Sequence, residues 1–205
     1  MNVIIDNVKD LNSIIKVIQD EDFLAIDTEF IRETTYFSKL CLIQIATKKI
    51  SFIIDPLSNN INLEPLWKIL NKNQIIKVMH SGRQDMEIFY NATGMLPSPV
   101  YDTQVAAMVC GFGDQVGYEN LVKNLLNIKI DKSSRVSDWS FRPLSNKQIS
   151  YALADVTYLI KIYEILKKQI SKNKRNTWIK EEMHNFSNIN NYQIKPEEAW
   201  KKIKL

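Results

Sequence analysis

Two rhythms of apolar residues divide this chain. Val8, Leu11, Ile14, Ile15 and Ile18 recur at helical spacing and predict an amphipathic helix over residues 7–19. Short, nearly continuous apolar runs at residues 23–28, 40–46 and 50–54 each read as a buried strand. Only Thr47-Lys48-Lys49 separates the last two, which predicts a hairpin ending at Asp55-Pro56. Residues 63–70 predict a helix with Pro65 in its first turn, 75–79 a short strand and 82–90 a helix. One more strand at 100–101 precedes helices at 103–110 and 118–126. After an irregular stretch, 131–143, a long helix keeps Ile149, Leu153, Val156, Leu159, Ile160, Tyr163 and Leu166 on one face. Ser145 is placed to cap it, and Gln148 three residues on completes a capping box. From about residue 173 the chain turns polar and Asn-rich, with Trp178, Phe186, Tyr192 and Trp200 as isolated anchors. The order of elements predicts an α/β fold, a mixed β-sheet flanked by helices. It forms a single domain over residues 1–171, with a short helical extension over 172–205.

Composition adds a few exclusions. At 205 residues and 45% hydrophobic, the chain fits one domain with an ordinary core. The net charge of +4 is unevenly placed: residues 172–205 hold eight Lys or Arg against four Asp or Glu, leaving nineteen of each before them. Such a tail either attracts phosphate or is a solvated, lysine-rich helix face. The N-terminus lacks a basic segment followed by a long apolar one, and no apolar run reaches ~18 residues. Neither a signal peptide nor a membrane helix is expected. Cys41 and Cys110 lie in apolar surroundings without metal-ligand spacing, as expected of reduced thiols in a cytoplasmic protein.

The candidate chemistry begins at Asp27-Thr28-Glu29, at the end of the first apolar run. Alternation along a strand puts Asp27 and Glu29 on one face. Two carboxylates crowded at a core edge are relieved by a shared proton or by a cation, and hard ions such as Mg²⁺ or Mn²⁺ prefer oxygen ligands. Tyr151 and Asp155, at i and i+4, share a face of the long helix. By spacing alone they are either a phenol and carboxylate working together or a core Tyr beside an exposed Asp. Asp85, early in its helix, is either a third acidic group or a partner of the helix dipole.

Several ordered motifs together are far more specific. They include Ala25-Ile26-Asp27-Thr28-Glu29-Phe30, Tyr36-Phe37-Ser38-Lys39-Leu40-Cys41-Leu42-Ile43-Gln44, Ile54-Asp55-Pro56-Leu57 and His80-Ser81-Gly82-Arg83-Gln84-Asp85. Tyr101-Asp102-Thr103-Gln104, Ser137-Asp138-Trp139-Ser140-Phe141-Arg142-Pro143-Leu144 and Tyr151-Ala152-Leu153-Ala154-Asp155-Val156 follow. Over residues 4–171 the chain resembles the DEDD superfamily of 3′–5′ exonucleases, and within it the ribonuclease D family, tyrosine-type subgroup. The resemblance implies a ribonuclease H-like fold and two divalent metal ions, Mg²⁺ or Mn²⁺. It makes Asp27, Glu29, Asp85 and Asp155 the metal-associated carboxylates, with Asp27 shared between the ions. Tyr151 would orient the attacking water.

The implied reaction is a metal-dependent 3′–5′ exoribonuclease activity that releases 5′-mononucleotides from RNA 3′ ends, such as those of transfer RNA precursors. Single-stranded DNA is the alternative substrate, and a non-catalytic nucleic-acid-binding module the remaining one. Stacking and phosphate contacts hold single strands. Phe30 and Tyr36 are therefore candidates to meet the terminal base, unless they pack in the core, and Arg32 and Lys39 to meet phosphate. Arg135, Trp139 and Arg142 crowd the loop before the long helix as further candidates, with Trp139 alternatively pinning that loop. His80 is expected to be structural or next to substrate, Gln44 to support the fold, and Asp102 to cap the helix at Thr103. Longer family members carry helical nucleic-acid-binding modules after the nuclease. With the sequence ending at Leu205, the expectation is a remnant of the linker to them and a distributive enzyme.

Overall fold

The computed structural model describes residues 3–33, 35–131, 137–193 and 197. Its strands are β1 (Ile4–Ile5), β2 (Phe23–Ile31), β3 (Lys39–Ala46), β4 (Ser51–Ile54), β5 (Ile76–Met79) and β6 (Val100–Asp102). Its helices are α1 (Val8–Ile18), α2 (Glu64–Leu70), α3 (Arg83–Thr93), α4 (Thr103–Cys110), α5 (Tyr118–Leu126), α6 (Asn146–Lys172) and α7 (Asn176–Phe186). The strands form one sheet in the order β1-β4-β3-β2-β5-β6. β3 runs antiparallel to β2 and β4, and the other pairs are parallel. This is the mixed sheet flanked by helices that the sequence predicts.

The two faces of the sheet bury different helices. Leu24, Ile26, Ile43 and Ile45 pack with Leu11, Ile14, Leu66, Met86 and Phe89 from α1, α2 and α3. Phe23, Ala25, Ala46 and Val78 face the other way, onto Val156, Leu159, Ile160 and Tyr163 of α6. α6 begins as its sequence requires: the Ser145 hydroxyl accepts from the Gln148 N–H, and the Gln148 side chain accepts from the Ser145 N–H. α7, in the tail, packs on α4 and β6 and buries Ile179.

Two details of the frame matter for the site. The β2–β3 ladder slips between Glu29 and Phe30, where Glu29 pairs with Leu42 but Phe30 with Leu40, leaving Cys41 as the extra residue of a bulge. The turn from β5 into α3 is tight, with Ser81 at φ 55, and a Cβ at Gly82 would meet the Met79 Cβ at 2.8 Å. Asp102 fixes that turn, accepting from the Gly82 N–H at 2.8 Å while capping α4 through Gln104 and Val105.

Candidate active site

β2 lies between β3 and β5, and its C-terminal half carries the acidic residues. Because Phe23 and Ala25 face α6, alternation places Asp27 and Glu29 on that face and Thr28 on the opposite one. Asp155 reaches them from α6, one turn beyond Tyr151. One oxygen each from Asp27, Glu29 and Asp155 lies within 4.8 Å of the others. Asp85 arrives from the opposite side of the strand. It is buried in the first turn of α3 and accepts a hydrogen bond from the Thr28 hydroxyl. It stands outside the three-carboxylate cluster, yet its charge bears on Asp27 more than any other neighbour's.

This crowding resists ionisation. Burial, then the charges of Asp85, Asp155 and Glu29, push Asp27 well above the usual carboxylate range. Burial, then Asp155 and Asp85, push Glu29 up to about 9. Burial lifts Asp85 to about 6, with its Thr28 hydrogen bond opposing the rise. All the donor atoms are carboxylate oxygens, the set a hard divalent cation takes, and such a cation would relieve the repulsion. The residues present therefore fit the metal ions that the resemblance implies.

Tyr151 hydrogen-bonds with Asp155, and burial followed by the neighbouring carboxylates keeps its phenol protonated far above neutral pH. Tyr118 is the residue that the sequence did not single out. Its hydroxyl donates to the Ala154 carbonyl at 3.0 Å, bracing α6 beside Asp155. An aromatic at a helix start carries no local signal of such a role. An open groove of about 430 Å³ passes over the cluster, with Phe30, Arg32, Ser137 and Trp139 on its walls. A second, of about 300 Å³, opens past Tyr151 and Asp155 over Tyr118.

The other expected substrate residues divide. Phe30 and Arg32 line the groove; the Arg32 guanidinium lies 3.8 Å from Glu87 and 5.9 Å from the Tyr36 ring centroid. Tyr36 is half-buried edge-on to Phe37, and Lys39 is exposed on β3. Neither is among the groove's walls. His80 is turned inward, its Nδ1 3.0 Å from the Thr103 hydroxyl and its ring 5.4 Å from that of Tyr118. Burial lowers its pKa to about 4, so it is neutral. Trp139 is 3% exposed, packed on Cys41, Leu42 and Ala152 with its ring 6.0 Å from Tyr151, so it supports the tyrosine and offers no open face for stacking.

Arg142 requires a correction. Its Nε and one Nη grip Asp55 at 2.6 and 2.8 Å, and its remaining N–H groups donate to the carbonyls of Cys41, Trp139 and Phe141. Every donor of the guanidinium is engaged, so none is left for a phosphate. Arg135 lies outside the described residues.

Around one strand of a mixed sheet stand four acidic residues and a tyrosine, and the 3′–5′ exonuclease family profile matches residues 2–171. The chain belongs to that family. Among individual proteins it is 47% identical over 204 residues to a ribonuclease D of Bartonella henselae, covering all of this chain and 50% of that protein. The chain thus spans about half the length of the curated relatives it matches. It is also similar to the crystal structure of Escherichia coli RNase D, an exoribonuclease involved in structured RNA processing. There the TM-score is 0.91 and the identity 33%, over 98% of this chain and 54% of that one. Brucella melitensis NrnC with bound Mg²⁺ matches with TM-score 0.77 and 25% identity, over 91% of this chain and 90% of that one; NrnC has also been solved bound to pGG.

Among the described residues no helix is long and apolar enough to cross a membrane.

Proposed function

We propose that this chain carries the nuclease of a ribonuclease D and hydrolyses RNA from its 3′ end, one nucleotide at a time. Residues 1–171 are the nuclease domain in this reading, and 172–205 a basic appendage that includes α7; residues 194–196 and 198–205 lie outside the described residues. The observation that carries it is the meeting of Asp27, Glu29 and Asp155 within 4.8 Å, in an open groove.

Asp27, Glu29, Asp155 and, across the strand, Asp85 would hold two divalent ions, Mg²⁺ or Mn²⁺. Ions held there would neutralise the scissile phosphate and lower the pKa of water. The protein's own groups do the positioning. The Tyr151 hydroxyl, held protonated, donates or accepts a hydrogen bond that aligns the attacking water. Asp155 fixes the phenol, and Tyr118 fixes the turn of α6 from which Asp155 projects. Phe30 offers an apolar wall to the terminal base, and Arg32 a cation to a phosphate. Water attacks phosphorus, the bond to the upstream 3′ oxygen breaks, and that oxygen is protonated, so a 5′-mononucleotide leaves. Transfer RNA precursors with extra 3′ residues are substrates of this kind. Both cysteines are free thiols, as suits the cytoplasm.

Timed digestion of 5′-labelled and 3′-labelled RNA, with and without Mg²⁺ or Mn²⁺, tests the reading. It predicts ion-dependent stepwise shortening from the 3′ end and 5′-mononucleotide products. Internal cuts or 3′-mononucleotides would sink it. A matched DNA strand degraded faster than RNA would move the substrate class to single-stranded DNA.

A further inference from the structure

Gln44 is the least explained residue in the interior. It is 0% exposed, and neither its amide nitrogen nor its amide oxygen has a hydrogen-bond partner among the described residues. Such groups are rare in folded proteins, and each calls for a reason such as an ordered water or a functional task. Its place in the sheet supplies one. On β3, Ile43 and Ile45 face α1 to α3, whereas Leu42 and Ala46 face α6. Alternation therefore points Gln44 toward α6, on the face that carries the acidic cluster. In the ladder its neighbours are Asp27 on β2 and Ile53 on β4. Directly opposed residues of an antiparallel pair hold their Cβ atoms about 4.5–5.5 Å apart. Ile53 is apolar, so the polar neighbour across the ladder is Asp27.

We propose that Gln44 is a positioning residue for the metal site: its side-chain amide holds the Asp27 carboxylate through one buried water. The amide nitrogen, the amide oxygen and the carboxylate together give that water the two to four polar partners a buried water needs. The Asp27 oxygens are then presented to divalent ions in one orientation, as groups behind metal ligands do elsewhere. A residue chosen for packing alone would be Leu or Met, which fill the same space without a stranded amide.

The inference rests on the metal reading above, and its test separates the two. Mn²⁺ is titrated calorimetrically into the wild-type protein and into Gln44→Met, and the melting temperature of each is measured without metal. The variant is expected to melt at or above the wild-type temperature, yet to bind Mn²⁺ ~10–100-fold more weakly. At saturating Mn²⁺ its KM for RNA should be unchanged. Wild-type affinity in a folded Gln44→Met overturns the inference and leaves the metal reading standing. No Mn²⁺ binding by the wild type overturns both. If Gln44→Met fails to fold, a crystal structure of the Mn²⁺-loaded wild type decides. An amide bonded to Asp27 directly or through a water supports the inference, and the absence of any polar path between them overturns it.

Discussion

Asp27 and Asp55 lie at the same end of the sheet, and their surroundings treat them oppositely. Asp55 accepts a two-pronged grip from Arg142 and an N–H from Leu57 at 3.0 Å. Asp27 is raised by burial first, and then by the charges of three other carboxylates near it. A carboxylate that serves the fold is matched by donors at once. Asp27, in the function proposed above, is left in a state that a bound cation would complete.

Removing the crowded charge gives the sharpest test of that contrast. Asp27→Asn should cut hydrolysis by ~10³-fold or more, the scale of several kcal/mol of lost charge stabilisation. The same change should raise the metal-free melting temperature, because it removes a repulsion. A variant that keeps wild-type turnover would end the assignment.

Breaking the matched pair should do the reverse. Arg142→Ala strands Asp55 and three carbonyls, and should lower stability by about 3 kcal/mol in denaturant titration. Arg142→Lys keeps the charge but not the fork, and should recover little of that loss. With Mg²⁺ saturating and the protein folded, kcat should change much less than in Asp27→Asn.

The third test is pH. Glu29 sits at about 9 in the fold against an ordinary 4.5, and Asp27 and Asp85 are raised with it. The folded state therefore binds more protons than the unfolded one. The contribution of these groups is fully present below their unfolded values and is lost as pH rises toward about 9. The metal-free melting temperature should fall over that window. Mg²⁺, which favours the ionised forms, should reduce the fall, and an identical decline with and without Mg²⁺ would contradict the site. The smallest effect belongs to the rim: Arg32→Ala should raise the KM for RNA by only ~2–5-fold, since a partly exposed arginine contributes ~1 kcal/mol or less.

Much of this was legible because the informative residues are local. Asp27 and Glu29 announce themselves by alternation, and Tyr151 and Asp155 by one helical turn. The Ser145 box and the Asp102 cap act within a few residues. β1 escaped because two residues carry no period; it exists only through its parallel pairing with β4, some fifty positions away. The engagement of Arg142 was equally hidden. The sequence shows an arginine in a loop, and only the fold brings Asp55 and the Cys41 carbonyl to it. His80 reads as structural or next to substrate, and only the fold shows how it is enclosed, between Thr103 and Tyr118. Asp85 was found by motif, but its approach from the far side of the strand depends on the Gly82 turn.

The bulge at Cys41 divides β2 into two jurisdictions. A ladder slipped by one residue uncouples which side chains face which way on its two sides. Asp27 and Glu29 lie before the slip, locked to Gln44 and Leu42, whereas Phe30 and Ile31 lie beyond it. Arg142 takes up the Cys41 carbonyl, so the joint is pinned. The rim that would meet the base is therefore free to be re-tailored for another substrate while the acidic floor keeps its geometry.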